Sequence, residues 1–190
     1  MKLIEPDFKN CNLNISQKKT ILLVGGSLGA RSMNESMINS LQQIAANPDV
    51  QFVWQTGKYY YNEIVARVKE AGKPDNLTIT DFVSDMASAL GVADLVISRA
   101  GAGSISEFAL LGKAVILVPS PNVAEDHQTK NAMALVKNDA AIFVSDSDAK
   151  EKLVATALAT VGDEKKLAAL AENIGKMAKP KAAEEIAEAV

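Results

Sequence analysis

Leu95-Val96-Ile97-Ser98-Arg99-Ala100-Gly101-Ala102-Gly103-Ser104-Ile105-Ser106-Glu107 carries an apolar strand through a loop of very small residues straight into a helix. Ala100, Gly101, Ala102 and Gly103 have almost no side chain, so a ligand can approach their backbone N–H groups. The free amides and dipole of a helix start together carry ~+0.5 charge, which suits a phosphate. Glu107, expected in the first turn, would be unwelcome beside a diphosphate unless it faces a neutral hydroxyl-bearing group. A ribose diol offers two donors that one carboxylate can accept together, so the segment suggests a nucleotide diphosphate. A second reading stands beside this one. Ser104 and Glu107 also match the capping box, in which Ser at the N-cap and Glu three residues later satisfy each other's backbone amides.

Outward from this stretch, short apolar runs alternate with amphipathic ones, the pattern of a parallel sheet covered by helices on both faces. Strands are expected at Thr20–Val24, Gln51–Gln55, Leu77–Thr80, Leu95–Ser98, Ala114–Pro119 and Ala141–Val144. The fold class is therefore α/β, a Rossmann-like doubly wound parallel sheet of about six strands. Met33, Met37, Ile38, Leu41 and Ile44 recur at helical spacing between the first two strands and read as core. After the sixth strand, Ala149–Val161, Glu164–Met177 and Ala182–Val190 read as consecutive alanine-rich helices. This helical tail over 149–190 would pack on its own sheet or reach a neighbouring domain. Met1–Lys19, polar and Asn-rich, reads as a leader or linker remnant preceding the domain at 20–190.

Composition excludes several classes of function. The chain has 190 residues and a formal net charge of −3, without the basic cluster or aromatic interleaving that tracks a nucleic-acid backbone. No nucleic-acid partner is expected. One cysteine, Cys11, and one histidine, His127, leave no disulfide framework, no cofactor metal cluster and little room for a histidine-based triad. No apolar run approaches the ~18 residues of a membrane span, and the N-terminus lacks a signal-peptide core. A reducing cytoplasm fits best.

Doubly wound sheets bind ligands beyond the carboxyl ends of their strands, and four of the loops there are distinctive. Gly25-Gly26-Ser27-Leu28-Gly29-Ala30-Arg31 is a glycine turn with Ser27 at its tip. It lacks the Gly-Lys-Ser/Thr ending of a Walker A loop, and its glycines are misplaced for Gly-x-Gly-x-x-Gly. Gln55-Thr56-Gly57-Lys58 stands where a dinucleotide fold wants a ribose-binding acid, which argues against NAD. In Asp81-Phe82-Val83-Ser84-Asp85-Met86, Ser84 or Asp85 is a helix N-cap, backbone groups around Val83 could read the edge of a base, and Met86 could lie against its face. After the fifth strand, residues 120–131 concentrate hydrogen-bonding side chains of the kind that recognise sugars, with Gln128 and Asn131 on one helix face.

These four motifs, in this order over Ile21 to about Asn138, resemble the MurG family, glycosyltransferases of bacterial peptidoglycan synthesis. That family transfers N-acetylglucosamine from UDP-N-acetylglucosamine to a lipid-linked muramyl-pentapeptide. The resemblance implies a GT-B architecture of two facing Rossmann-like domains, of which this chain matches the carboxyl-terminal, donor-binding one. It implies that the backbone at Val83 reads uracil, Met86 covers it and Glu107 takes the ribose hydroxyls. Ser27 and the amides of Ala102, Gly103 and Ser104 would hold the diphosphate, with Ile105 and Ser106 in the same binding segment. Gln128, with His127 beside it and Asn131 on its face, would meet the N-acetylglucosamine. No cofactor or metal is implied.

The motifs match the carboxyl-terminal domain alone, so the amino-terminal acceptor domain, with its general-base histidine and membrane-docking patch, is expected to be missing from this sequence. The Asn-Pro-x-Arg linker and its uracil-site arginine are likewise not recognisable before Thr20. No catalytic residue is therefore assigned here, and the chain alone is expected to bind donor weakly and transfer nothing. The full-length family member would sit peripherally on the cytoplasmic face of the inner membrane, meeting its lipid-linked acceptor through the missing domain. A natural half that pairs with a separate membrane subunit, and a nucleotide-binding module without chemistry, are the alternatives. Arg99 is left open between an ion pair to the sheet and a phosphate contact.

Overall fold

The computed structural model describes residues 18–121 and 126–178. Six parallel strands form one sheet: β1 (Lys19–Val24), β2 (Val50–Gln55), β3 (Leu77–Thr80), β4 (Leu95–Ser98), β5 (Ala114–Leu117) and β6 (Ile142–Phe143). Their order is β3-β2-β1-β4-β5-β6. The chain therefore winds outward one way from β1 to β3 and the other way from β4 to β6. Doubly wound sheets open their ligand crevice at this reversal, between the ends of β1 and β4.

Because side chains alternate across a strand, the sheet has two apolar faces and two cores. Ile21, Leu23, Phe52, Trp54, Ile97 and Ile116 face one side. There they meet α1 (Arg31–Asn39), α2 (Leu41–Ala45), α3 (Tyr61–Ala71) and α7 (Asp146–Val161). Leu22, Val53, Val96, Val115 and Leu117 face the other, under α4 (Met86–Val92), α5 (Ala102–Leu110) and α6 (His127–Val136). The last described helix, α8 (Glu164–Lys176), gives Leu167 and Leu170 to the first core and Ile174 to the second.

Each expected strand is present, with small shifts at the ends. β5 stops at Leu117, yet Val118 N–H still donates to the Ser98 carbonyl at 2.9 Å, and Pro119, with no N–H, ends the ladder. The Met33–Ile44 stripe is core as expected, with Met33, Met37 and Ile44 fully buried. It is split into α1 and α2 at Ser40, whose N–H turns back to the Met37 carbonyl. α7 starts at Asp146 rather than Ala149, because Ser145 accepts the Asp148 N–H as an N-cap and acids occupy the first turn.

The tail does not leave the domain over its described length. α7 buries Ala149, Leu153, Val154, Ala157 and Val161, and α8 buries Leu167, Leu170 and Ile174. Of the two expectations for the tail, packing on this chain's own sheet is the one these helices show. The helix expected at Ala182–Val190 lies outside the described residues, as do residues 1–17 of the leader.

Candidate functional site

The glycine turn after β1 owes its composition to backbone contact. Gly29 and Gly57 have φ of 85° and 82°, in the left-handed region. A Cβ on Gly29 would fall 2.2 Å from the Thr56 carbonyl oxygen, and one on Gly57 would fall 2.2 Å from the Gly29 nitrogen. The turns after β1 and β2 therefore lie backbone against backbone. Ser27 stands exposed at the tip, its carbonyl accepting the Lys58 N–H at 3.4 Å.

Gln55 locks this turn to the next loop. Although only 2% exposed at the end of β2, it satisfies both ends of its amide. Oε1 accepts the Gly25 N–H at 2.9 Å, and Nε2 donates to the carbonyls of Gly26 (2.8 Å) and Asp81 (3.0 Å). Nearby, Asn34 of α1 accepts from Trp54 Nε1 and donates to the Thr56 carbonyl, both at 2.9 Å. In the loop after β3, the Thr80 hydroxyl donates to the Phe82 carbonyl at 2.7 Å. None of these named bonds uses the backbone of Val83, which is buried at 4% exposure. Asp85 is the α4 N-cap, accepting the Ser88 N–H at 3.0 Å and its hydroxyl at 2.6 Å. Met86, half-buried, opens α4 and packs against the second core. Phe82 is exposed on the rim, with Lys58 Nζ 5.4 Å from its ring centroid.

Geometry corrects the reading of α5. Its N-cap is Gly101 rather than Ser104, no side chain caps it, and no acid lies in its first turn. The first intrahelical bond runs from the Ile105 N–H to the Gly101 carbonyl at 3.0 Å. The amides of Ala102, Gly103 and Ser104 precede that bond and have no intrahelical acceptor. There is no capping box. Glu107 belongs to the second turn, exposed, three and four residues beyond Ser104 and Gly103 and so on the same face. Ser106, also exposed, returns its hydroxyl to the Ala102 carbonyl at 3.0 Å, and Ile105 packs against the second core.

The loops after β4 and β5 are stitched together by α6. Gln128 Oε1 accepts the Ala100 N–H at 3.3 Å and the Ser120 N–H at 2.9 Å, while Asn131 Nδ2 donates to the Ala100 carbonyl at 3.1 Å. Both side chains expected to meet sugar thus also serve the scaffold, and Gln128 can offer a ligand only its Nε2 donors. His127 is exposed at the α6 start, after Asp126 in the left-handed region at φ 52°. Residues 122–125 of this loop lie outside the described residues.

Arg99 pairs with α7 rather than with the sheet. Its guanidinium lies 2.5 Å from Asp146 at the start of α7. A cleft of about 650 Å³ opens here, lined among others by Gly29, Ser32, Arg99, Ser120, Gln128 and Lys150. Beside it, Glu35 is held below the usual glutamate range, chiefly by its hydrogen bonds from Arg67 at 2.7 and 3.1 Å, with Lys150 and Arg31 adding to the effect. Among the described residues no group of three or more His, Cys, Asp or Glu is placed to hold a metal ion.

From the sequence alone, Gln55 counted only as the absence of a ribose-binding acid, and Ser32 and Asp146 had no role. A Gln directly after the apolar run Phe52–Trp54 was a signal for the first. The pairing of Arg99 with Asp146 spans 47 residues and leaves no local trace.

A parallel sheet in this order, with a glycine turn and an uncapped helix start flanking its point of reversal, defines a ligand-binding domain of the doubly wound Rossmann-like class. Its family follows from comparison: the chain belongs to the glycosyltransferase family 28 C-terminal domain family, whose model matches residues 20–186. It is 61% identical over 173 residues to the UDP-N-acetylglucosamine--N-acetylmuramyl-(pentapeptide) pyrophosphoryl-undecaprenol N-acetylglucosamine transferase of Bacteroides thetaiotaomicron, covering 91% of this chain and 46% of that protein. The transferase of the same name from Parabacteroides distasonis is 53% identical, with 92% and 47% covered. The crystal structure of Acinetobacter baumannii MurG superposes with a TM-score of 0.79 at 32% identity, covering 92% of this chain and 52% of that one. The chain thus spans about half the length of the curated relatives it matches.

Proposed function

We propose that this chain is the donor-binding half of an inverting glycosyltransferase that moves N-acetylglucosamine from UDP-N-acetylglucosamine to a lipid-linked muramyl-pentapeptide during peptidoglycan synthesis. The observation that carries the reading is the start of α5. Three amides without intrahelical acceptors lie at the sheet's switch point, with a carboxylate one turn further along the same face. A diphosphate on the amides of Ala102, Gly103 and Ser104 leaves the adjoining ribose within reach of Glu107. Ser27, at the tip of the facing glycine turn, completes the diphosphate contacts. The fixed loop around Val83 offers backbone groups to uracil, and Met86 its covering face. His127, Asn131 and the Nε2 donors of Gln128 meet the sugar.

In this reaction a deprotonated acceptor hydroxyl attacks the anomeric carbon, the bond to the β-phosphate oxygen breaks, and UDP departs. Charge accumulates on the diphosphate, and preoriented amides at a helix start stabilise it where it develops. This half supplies that stabilisation alone. The general base and the acceptor site belong to the other half of the enzyme, or to an equivalent subunit, working at the cytoplasmic face of the membrane. Among the described residues no helix is long and apolar enough to cross a membrane. The chain by itself therefore binds donor and does not turn over. Calorimetric titration with UDP-N-acetylglucosamine, paired with an assay for acceptor glycosylation, tests this: saturable binding without transfer is expected, and transfer by the chain alone would refute it.

A further inference from the structure

The segment that aims the α5 amides is poorly held by its own residues. Gly101, the N-cap, has no capping side chain, and Cβ atoms built on Gly101 or Gly103 would meet nothing within 4 Å. What grips it is remote. Ala100 is held at both its N–H and its carbonyl by Gln128 and Asn131. Arg99 holds the other side: Nη1 donates to the carbonyls of Val118 and Pro119, both at 3.1 Å, and to Asp146 Oδ1 at 2.5 Å. Nη2 reaches the Ser32 hydroxyl oxygen at 3.3 Å, and that hydroxyl itself donates to Asp146 Oδ1 at 2.5 Å. One guanidinium thus ties the exit of β4 to the first turns of α1 and α7 and to the end of β5. Nη1 shares its two hydrogens among three acceptors and Nη2 spends one on Ser32, so this face of the guanidinium is committed to the scaffold.

We propose that Arg99 is a positioning residue for the diphosphate end of the donor site: held by Asp146 and Ser32, it fixes the orientation of the Ala102–Ser104 amides without touching the ligand. The inference rests on the donor-site reading above. It opposes the role a lone arginine beside a phosphate site would ordinarily be given, and the two roles respond oppositely to loss of the Asp146 charge. An Arg99 that turned away from Asp146 to bind phosphate would be restrained by that carboxylate, so Asp146→Asn would free it and leave UDP binding unchanged or tighter. A positioning Arg99 depends on Asp146, so the same variant weakens UDP binding.

The experiment is an amide NMR titration of wild type, Asp146→Asn and Ser32→Ala with UDP and, separately, with uridine, alongside thermal unfolding. Replacing a charge-assisted bond by a neutral one is expected to lower UDP affinity roughly five- to tenfold in Asp146→Asn, and less in Ser32→Ala. Uridine, which does not reach the α5 amides, binds both variants as it binds wild type. Unchanged or tighter UDP binding in Asp146→Asn would overturn the proposal while leaving the donor site standing. Equal losses for UDP and uridine would also overturn it, reducing Arg99 to a general structural tie. If Asp146→Asn fails to fold, Ser32→Ala, which keeps the ion pair, decides by the same comparison. Absence of UDP binding by folded wild type would overturn the donor-site reading and this proposal with it.

Discussion

Replacing Gln55 by leucine keeps the side-chain bulk and removes three hydrogen bonds that join the loops after β1 and β3. The partners left behind differ in their access to water. Gly25 is buried, so its N–H loses its acceptor outright; Asp81 is half-buried; Gly26 is exposed, and solvent can replace the bond to its carbonyl. A buried polar group stripped of its partner costs about 1–3 kcal/mol. One full and one partial loss, offset in part by the apolar side chain, come to about 3 kcal/mol. For a chain of this size that is a fall in Tm of roughly 6–12 °C. Urea unfolding followed by the signal of Trp54, which lies on the same strand and is fully buried, reads the change directly. Gln55→Glu can still accept the Gly25 N–H but loses both donors and puts a charge at a 2% exposed site, so it should be no better than leucine. Uridine affinity should fall in the leucine variant, because the Asp81–Met86 loop loses its tie to the glycine turn. A leucine variant within about 0.5 kcal/mol of wild type, the range of ordinary surface substitutions, would mean that Gln55 does not hold these loops together.

Four further variants have expected outcomes. Gly29→Ala places a Cβ 2.2 Å from the Thr56 oxygen at φ 85°, and should prevent folding or cost more than about 3 kcal/mol. Gly26→Ala, at φ 84° but in open space, should cost only about 1–2 kcal/mol by thermal unfolding. Glu107→Gln should leave the Tm unchanged, since the side chain is exposed, yet weaken UDP binding by about 1.5–3 kcal/mol for each charge-assisted bond made to the ribose; equal affinity by calorimetry would remove Glu107 from the site. Arg67→Ala should lose stability at neutral pH. Because Glu35 titrates below its ordinary 4.5 when folded, the contribution of this pair is complete above that value and disappears as pH falls through the lower folded one. Wild-type and variant unfolding curves should therefore converge in acid, and a gap that persists there would contradict the pairing.

What could be read from the sequence was whatever is encoded locally. The alternation of apolar runs with amphipathic stretches placed every strand to within a residue or two, because a strand buried on both faces must be apolar along its whole length. The start of α5 was legible as a run of small residues, but its phase was not. Ser104 and Glu107 have the spacing of a capping box, and only the backbone reveals Gly101 as the cap and sets Glu107 a turn further along. Long-range polar ties were invisible for a related reason. Gln55 was noticed as the missing acid of a dinucleotide site, whereas its work lies in bonds to Gly25, Gly26 and Asp81, residues that adjoin it only once β1, β2 and β3 are side by side. The tail was legible as helices but its packing was left open between its own sheet and a neighbour, because alanine-rich helices carry little directional signal. Which surface α7 and α8 cover is decided by the sheet faces they meet.

The proposed donor site for a uridine diphosphate sugar stands on the start of α5 and Glu107. Calorimetric titration of the chain with UDP-N-acetylglucosamine, UDP and NAD, repeated on Glu107→Ala, tests it most directly. Binding of both uridine ligands, abolished or strongly weakened in the variant, with no binding of NAD, is the predicted result. Folded protein that binds NAD, or that binds UDP equally well with and without the Glu107 carboxylate, would contradict the account.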